Sequence, residues 1–342
     1  MDIIETATKY LGSYHRECSA NWRFICPTCG ADKLYVNPKK PNGPFLCNGC
    51  GITGSVYSLA KKHGDNPVFI NVEQEEINVN WKLVRNIYSK LLSVSTIRHS
   101  HIEWLNSRGI QVNQTNMLTP KEMLVRSSDM IVTIMMKHFT EQELEEAGIL
   151  VNKDGKYRSS GIVSPNRIII PYLNENGRCI YIRSRFAGIC DNYRFLSPPK
   201  VPGRDFSWGW DTFENEGYVI ITEGELKAQS AKQLGYQCIA LPGMQTGHQA
   251  LASKCKEHNI KKAYIMFDSE AGRNSLGIPK QKGVDRCAQR LADELKKVNI
   301  TTYNCSLPLL GKNKMDIDLF VLLKGDSATD SILKVLEKGT RM

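Results

Sequence analysis

Residues 218–235 read YVIITEGELKAQSAKQLG. An apolar, β-branched run gives way at Glu223 and Gly224 to a tight turn, and a helix-forming segment then runs to Gly235. This is the pattern of a strand, a turn and a helix. The same alternation recurs downstream. CIALPG (238–243) precedes a helical stretch, KAYIMFDSE (262–270) precedes the helical GVDRCAQRLADELKKVN (283–299), and ITTYNCSLP (300–308) is a further strand. Strands alternating with helices predict a parallel α/β sheet.

The strand ends are acidic. In open α/β sheets the active site lies outside the carboxyl ends of the strands. Glu223 closes one strand, Asp268 and Glu270 follow the next, and LPLLGKNKMDIDLF (307–320) adds Asp316 and Asp318 beyond a third. A carboxylate at a strand end can simply cap the following helix. Five of them at three successive strand ends favour a site. Like charges so placed repel and call for cations between them, and magnesium or manganese fits oxygen ligands. GIPKQKG (277–283) lacks the spacing of a phosphate-binding Walker loop, so the chain shows no helicase motor.

Upstream, NRIIIPYLNENGRCIYIRSRF (166–186) is two β-branched runs joined by NENG, a hairpin. Residues 81–92 carry Trp81, Val84, Ile87, Tyr88 and Leu91 at helical spacing, and further helical patterns run from 101 to 148. Residues 64–80 hold an acidic cluster with little helical period and read as a linker. The last twenty or so residues read as one helical tail.

FICPTCGADKLYVNPKKPNGPFLCNGCG (24–51) holds two Cys-x-x-Cys pairs, Cys26/Cys29 and Cys47/Cys50. Each pair is a knuckle that aims two sulfurs at one point, and two knuckles supply the four thiolates of a closed structural zinc site. The strand-like KLYVN and PFLC flank the turn-rich PKKPNG, so the segment reads as a zinc ribbon that metal holds together. This spacing favours zinc over a redox Cys-x-x-Cys. His15 and Cys18 lie just upstream and read as structural or exposed. Short helices are expected at 2–10 and 55–62. Lys33, Lys39, Lys40 and Tyr35, then Lys61, Lys62 and His63, interleave cations with rings, which suits single-stranded nucleic acid.

The chain of 342 residues suggests two or three domains. It is 41% hydrophobic and 23% charged, with a formal charge of +10 that favours polyanionic partners. No apolar run is long enough to span a membrane. The start, MDIIETATKYLG, lacks the basic and apolar regions of a signal peptide. The cytoplasm is the expected location, and the remaining cysteines of the eleven, Cys18, Cys179, Cys190, Cys238, Cys255, Cys287 and Cys305, are expected as reduced thiols.

The order of these features resembles the bacterial and bacteriophage DNA primases that carry a zinc-binding domain and a topoisomerase–primase (Toprim) core. CPTCG, FLCNGCG and GITGSV are similar to their zinc domain. WLNSRGI (104–110) and EEAGIL (145–150) resemble the start of their RNA-polymerase region, the 166–186 hairpin its basic part, and GRDFSWGW (203–210) the segment leading into Toprim. ITEG, FDSEAGR and MDID resemble the Toprim motifs.

The resemblance implies an α/β multidomain enzyme that copies single-stranded DNA into short RNA primers. It divides the chain into a zinc-ribbon template-recognition domain (1–64), the linker (65–80), a mixed α+β basic subdomain (81–213), a Toprim-type parallel sheet (214–322) and the tail (323–342). Glu223 is then the catalytic glutamate, with Asp268 and Glu270 as one metal pair and Asp316 and Asp318 as another, for magnesium or manganese. Arg167, Arg183, Arg185, Arg194, Lys200 and Arg204 would hold template and ribonucleoside triphosphates. Two departures stand out. Glu270 replaces the usual second aspartate, and Lys227 stands where many relatives are acidic. The short tail resembles compact phage or mobile-element primases that use a separate helicase, with the host cytoplasm as their location. The same residues would also suit a Toprim nuclease, or a non-catalytic adaptor that binds single-stranded DNA.

Overall fold

The computed structural model describes residues 2–18, 21–40, 42–65, 67, 78–114, 117–120, 128–188, 194–203, 205–214, 217–273 and 279–342. Helix α1 (Ile3–Leu11) starts at Asp2, whose carboxylate accepts from Ile4 N while Glu5 reaches back to Asp2 N, a capping box. An antiparallel sheet follows, β1 (Arg16–Cys18), β2 (Asn21–Ile25), β3 (Asp32–Val36), β4 (Pro44–Cys47) and β5 (Thr53–Ser55), in that spatial order, then α2 (Val56–Lys62). The sequence pattern predicts only two of these strands, at 33–37 and 44–47. The others are three to five residues long, too short for alternation to register.

Helix α3 (Trp81–Ser93) buries Val84, Ile87, Tyr88 and Leu91, the face its spacing predicts, and Tyr88 Oη donates to Ala147 O at 2.9 Å. After β6 (Ser95–Thr96), α4 (His99–Asn106), β7 (Thr119–Pro120), α5 (Ser128–Met135) and α6 (Glu141–Glu146) comes a small hairpin, β8 (Leu150–Lys153) and β9 (Lys156–Ser159). Its turn is Asp154-Gly155, both at positive φ. The larger hairpin, β10 (Arg167–Leu173) and β11 (Cys179–Phe186), falls on the predicted stretch, and β12 (Phe195–Leu196) pairs with β11.

The strand–helix alternation then builds β13 (Tyr218–Glu223), α7 (Glu225–Lys232), β14 (Cys238–Leu241), α8 (His248–Glu257) and β15 (Lys262–Ile265). Next come β16 (Ser269–Glu270), α9 (Gln281–Lys297), β17 (Thr301–Asn304), β18 (Lys314–Met315), α10 (Ile317–Lys324), α11 (Ala328–Glu337) and β19 (Thr340–Arg341). The main sheet has the order β14-β13-β15-β17-β19, parallel except for the antiparallel β19. Val219, Ile220, Ile221, Ile239, Ala240, Leu241, Ala263 and Ile265 are fully buried, as expected of parallel strands covered on both faces. From β13 the chain crosses to one side and from β15 to the other, so the switch point lies between these two strands. The tail is not one helix. After Gly339 it turns into β19, and Met342 N donates to Thr302 O at 3.0 Å. Pairing to the open edge of β17 overrides the local helical signal.

By internal contacts the chain forms two units. The first combines Met1–Glu76, Asp268–Leu291 and Pro308–Met315. The second combines Ile77–Phe267, Ala292–Leu307 and Asp316–Met342. Most of the linker expected at 65–80 lies outside the described residues. In the first unit a Cβ on Gly283 would stand 2.3 Å from Gly49 O, so the start of α9 meets the second cysteine knuckle at a distance only glycine allows. No helix among the described residues is long and apolar enough to cross a membrane.

Candidate catalytic and metal sites

The cysteine tetrad belongs to the first unit. Each knuckle closes with a backbone bond, Gly30 N to Cys26 O and Gly51 N to Cys47 O, both 2.8 Å. Gly30 and Gly51 take φ of 68° and 71°, so the glycine after each Cys-x-x-Cys is a conformational requirement. Cys26 Sγ lies 3.7 Å from Cys50 Sγ, Cys29 Sγ 3.6 Å from Cys47 Sγ, and all four sulfurs fall within 4.8 Å of one another. Sulfurs at about 2.3 Å from a tetrahedral zinc stand about 3.8 Å apart, so the tetrad fits zinc as it stands. Its surroundings are the ribbon's own core of Phe24, Leu34, Val36 and Val56 with Ile3, Ile4 and Ala7 of α1. His15 is exposed and outside the tetrad, and the Cys18 side chain lies outside the described residues. Lys33, Lys39, Lys40, Lys61, Lys62 and His63 are exposed, and Tyr35 is half-buried under the Arg23 guanidinium, 6.0 Å from its ring centre.

Cys179, Cys238, Cys255, Cys287 and Cys305 are buried and in no disulfide, and burial pushes the thiols of Cys179, Cys238, Cys255 and Cys305 up to about 12. Cys190 lies outside the described residues.

Within the second unit, Glu223 ends β13 half-buried. Asp316 caps α10, with Oδ1 accepting from Leu319 N at 3.1 Å. Asp318, 2% exposed, pairs with Arg108 through Oδ2, while its buried Oδ1 has no hydrogen-bond partner. Burial and then the neighbouring Asp318 push the Asp316 carboxyl up to about 6, against the pull of Lys227. Two adjacent carboxylates, one of which keeps a buried oxygen without a hydrogen-bond partner beside its Arg108 pair, leave acceptor capacity that suits a divalent cation.

Asp268 and Glu270 belong to the first unit and are arranged differently. The two-stranded ladder β16/β18 sets Glu270 opposite Lys314. Lys314 Nζ reaches Asp268 Oδ2 at 2.8 Å and Glu270 Oε1 at 3.2 Å. As arranged, this pair is bridged by an ammonium that compensates one of its two charges, and it does not fit a bare divalent ion at the same position. Among the described residues, the cysteines are the only group of three or more potential ligands gathered at ligand distance.

The predicted basic residues fall into two kinds. Arg167, Arg183 and Arg185 are buried, 5–9% exposed. Arg183 donates to Glu225 at 2.6 Å and to Pro242 O at 3.1 Å, with its guanidinium over Phe195 at 4.7 Å. Arg185 donates to Phe186 O and lies over Trp104 and Phe195 at 5.1 and 5.2 Å. Arg167 lies over Phe186. Arg194 is exposed, and Lys200 pairs with Glu145 at 2.6 Å. Arg204 lies outside the described residues. Sequence reasoning missed Glu225, Tyr172, Arg108 and Lys314. The available signal for Glu225 was a second acid two positions after Glu223, at the first position of the helix.

Among solved structures, the Aquifex aeolicus primase (zinc-binding and RNA-polymerase domains) is similar over 100% of this chain and 84% of its own, with TM-score 0.58 and 19% identity. The chain has the fold of a DnaG-type primase. A DnaG primase catalytic domain bound to single-stranded DNA is similar over 76% of this chain and 80% of its own, with TM-score 0.55 and 17% identity. The RNA-polymerase domain of Mycobacterium tuberculosis DnaG, bound to a double-stranded oligomer with a six-nucleotide overhang, covers 76% and 81% at TM-score 0.58 and 13% identity. Residues 207–328 match a domain family of unknown function (DUF3854). No curated protein matches the chain.

Proposed function

We propose that this protein is a DNA primase that makes short RNA primers on single-stranded DNA in the cytoplasm, alongside a separate replicative helicase. One observation carries the reading. A cysteine ribbon and a carboxylate-ended parallel sheet share one chain whose fold follows a two-domain primase along its full length. The DNA-bound neighbours support a nucleic-acid template. In this reading the sheet is a Toprim sheet, and zinc holds the ribbon for template recognition. Glu223, Asp268, Glu270, Asp316 and Asp318 are the acidic residues of nucleotidyl transfer. A divalent ion bound among such carboxylates supplies charge neutralisation at the phosphate and a lowered pKa for the attacking 3′-hydroxyl. The protein's own parts position the reactants. Exposed ribbon lysines attract phosphate, and the arginine–aromatic cluster of Arg185, Trp104 and Phe195 fixes the hairpin surface beside which ribonucleotides would lie.

A second reading has support from Lys314 and Arg108, which already pair with three of the acidic residues. It is a non-catalytic adaptor that binds single-stranded DNA. The test is incubation with magnesium, α-labelled ribonucleotides and a library of single-stranded templates, beside Glu223→Gln and Cys47→Ser. Short labelled RNA from the unmodified protein alone is the expected result. Template binding with no RNA, even with a helicase added, would leave the adaptor as the account. Loss of template in the same tubes would indicate a nuclease.

A further inference from the structure

The carboxylates read as one kind of site differ in what stands beside them. Asp318 pairs with Arg108 through one oxygen and keeps the other, Oδ1, buried without a hydrogen-bond partner, and the Asp316 carboxylate accepts from Leu319 N at the start of its helix. Asp268 and Glu270 have Lys314. We propose that Lys314 is a resident cation, a protein-supplied charge that takes the place of a divalent ion at the Asp268–Glu270 pair. The inference rests on the primase reading for what the carboxylates are for, and on the geometry of the first unit for the lysine's role.

Three features hold the ammonium in place. First, β16 and β18 pair antiparallel with Glu270 directly across from Lys314, so the two side chains leave the same face of the ladder. Second, the ladder is extended by Ala271 N donating to Asn313 O at 2.8 Å, and Glu270 N donates to Gln281 Oε1 at 2.8 Å, which fixes the acidic strand from its other side. Third, Asp268 is 6% exposed, whereas the Lys314 side chain is 54% exposed. The lysine side chain is thus partly open to solvent, while its charged end reaches the buried carboxylate and bridges to the second one.

A divalent ion contacting both carboxylates would need the position from which Nζ touches Asp268 Oδ2 and Glu270 Oε1. It would meet a like charge at contact distance. The longer Glu270 is consistent with this arrangement, because its extra methylene lets the carboxylate reach Nζ across the ladder. The chain should therefore take one divalent ion fewer than its count of acidic pairs suggests, the remaining ion lying with Asp316 and Asp318.

The experiment counts ions, independently of primer synthesis. Zinc-loaded protein is titrated with manganese, and free manganese is read by electron paramagnetic resonance, for the unmodified protein, Lys314→Met, Lys314→Arg and Lys314→Met with Asp268→Asn. Lys314→Met is expected to gain one manganese ion, or to bind it on the order of ten-fold more tightly, the size of effect a neighbouring charge has on an ionic equilibrium. Lys314→Arg should keep the original count, and the added Asp268→Asn should abolish the gain. Equal counts and affinities in the unmodified protein and Lys314→Met would overturn the proposal. A gain in Lys314→Met together with absence of primer synthesis by the unmodified protein would sustain the resident cation and sink the primase reading. Circular dichroism of each variant separates loss of folding, which the buried Asp268 position could cause, from loss of the added ion.

Discussion

Glu225 has no exposed surface, and its neighbours explain why it tolerates burial. Arg183 Nη1 lies 2.6 Å from Oε1, and the Tyr172 hydroxyl donates to the same oxygen at 2.5 Å. Burial, and then the adjacent Glu225, push the Tyr172 hydroxyl well above its ordinary value, so it remains a donor throughout the physiological range. Removing one partner of such a pair costs far more than the pair contributes, because the other charge is left buried. Arg183→Met should therefore lower unfolding stability by roughly 3–5 kcal/mol, and Arg183→Met with Glu225→Gln should recover much of it. Urea unfolding followed by tryptophan fluorescence and by circular dichroism reads both. A loss under about 1 kcal/mol would return Arg183 to the template-binding role its sequence position suggests. The contrast with the cysteines shows what can be read at this scale. Four thiols in two knuckles are a local pattern, complete within 25 residues of sequence. The Arg183–Glu225 pair spans 42 positions and two elements, and nothing near either residue names the other.

At the scale of elements, the hairpin β10/β11 and the sheet strands were legible because each is a run of four or more residues rich in β-branched, aromatic or other apolar side chains, bounded by turn residues or helical patterns. The two-residue strands were not, since a period of two cannot be recognised in two residues. One of the missed elements carries part of the site. The pair β16/β18 determines which cation Glu270 faces, yet in sequence it is only SE and KM. The turn of the long hairpin offers a clean electrostatic test. Glu175 sits in the NENG turn and pairs with Lys254 at 2.7 Å and His258 Nε2 at 3.0 Å, both on or just after α8. Burial works against ionisation, but Lys254, the residue's own backbone N–H and then His258 prevail and hold the Glu175 carboxyl down to about 2, from an ordinary 4.5. A lowered folded-state value means the turn is stabilised above pH ~4.5 and loses that contribution as the pH falls toward ~2. The Glu175 side chain is 41% exposed, so solvent screening keeps the effect below about 1 kcal/mol. Melting temperatures of the protein and Glu175→Gln should differ at pH 6 and draw together as the pH falls to ~2 and below. A difference that stays constant across this range would show that the ion pair contributes nothing.

For the whole molecule, the informative fact is that the first unit is assembled from three separate stretches of chain. Its small core consists of the cysteine tetrad, the ribbon strands and one face of α1, with too little apolar area to persist without metal. Zinc removal by a chelator, or Cys47→Ser, should release one zinc per chain. Amide exchange should then rise across 3–11 and 32–47, and also at 281–291, where Gly283 closes on Gly49. The strands at 218–223 and 238–241 should keep their protection. Unchanged exchange at 281–291 would show that the ribbon and the start of α9 do not unfold together. None of this assembly was visible in the sequence, where a domain boundary is expected at a linker and not inside a helix. Helix α9 starts in one unit and ends in the other, and periodicity cannot report which core each turn of a helix joins.

The Gly49–Gly283 contact has a consequence for the order of events during folding. The two knuckles are local, and their closure belongs to the fast steps of chain collapse. The surface that the second knuckle rests on arrives only after about 230 further residues, so its formation carries the entropic cost of a long loop and a high sequence separation. Metal capture and completion of the unit are thus separated in time. The ribbon is expected to close on its metal before the helix that it touches reaches it.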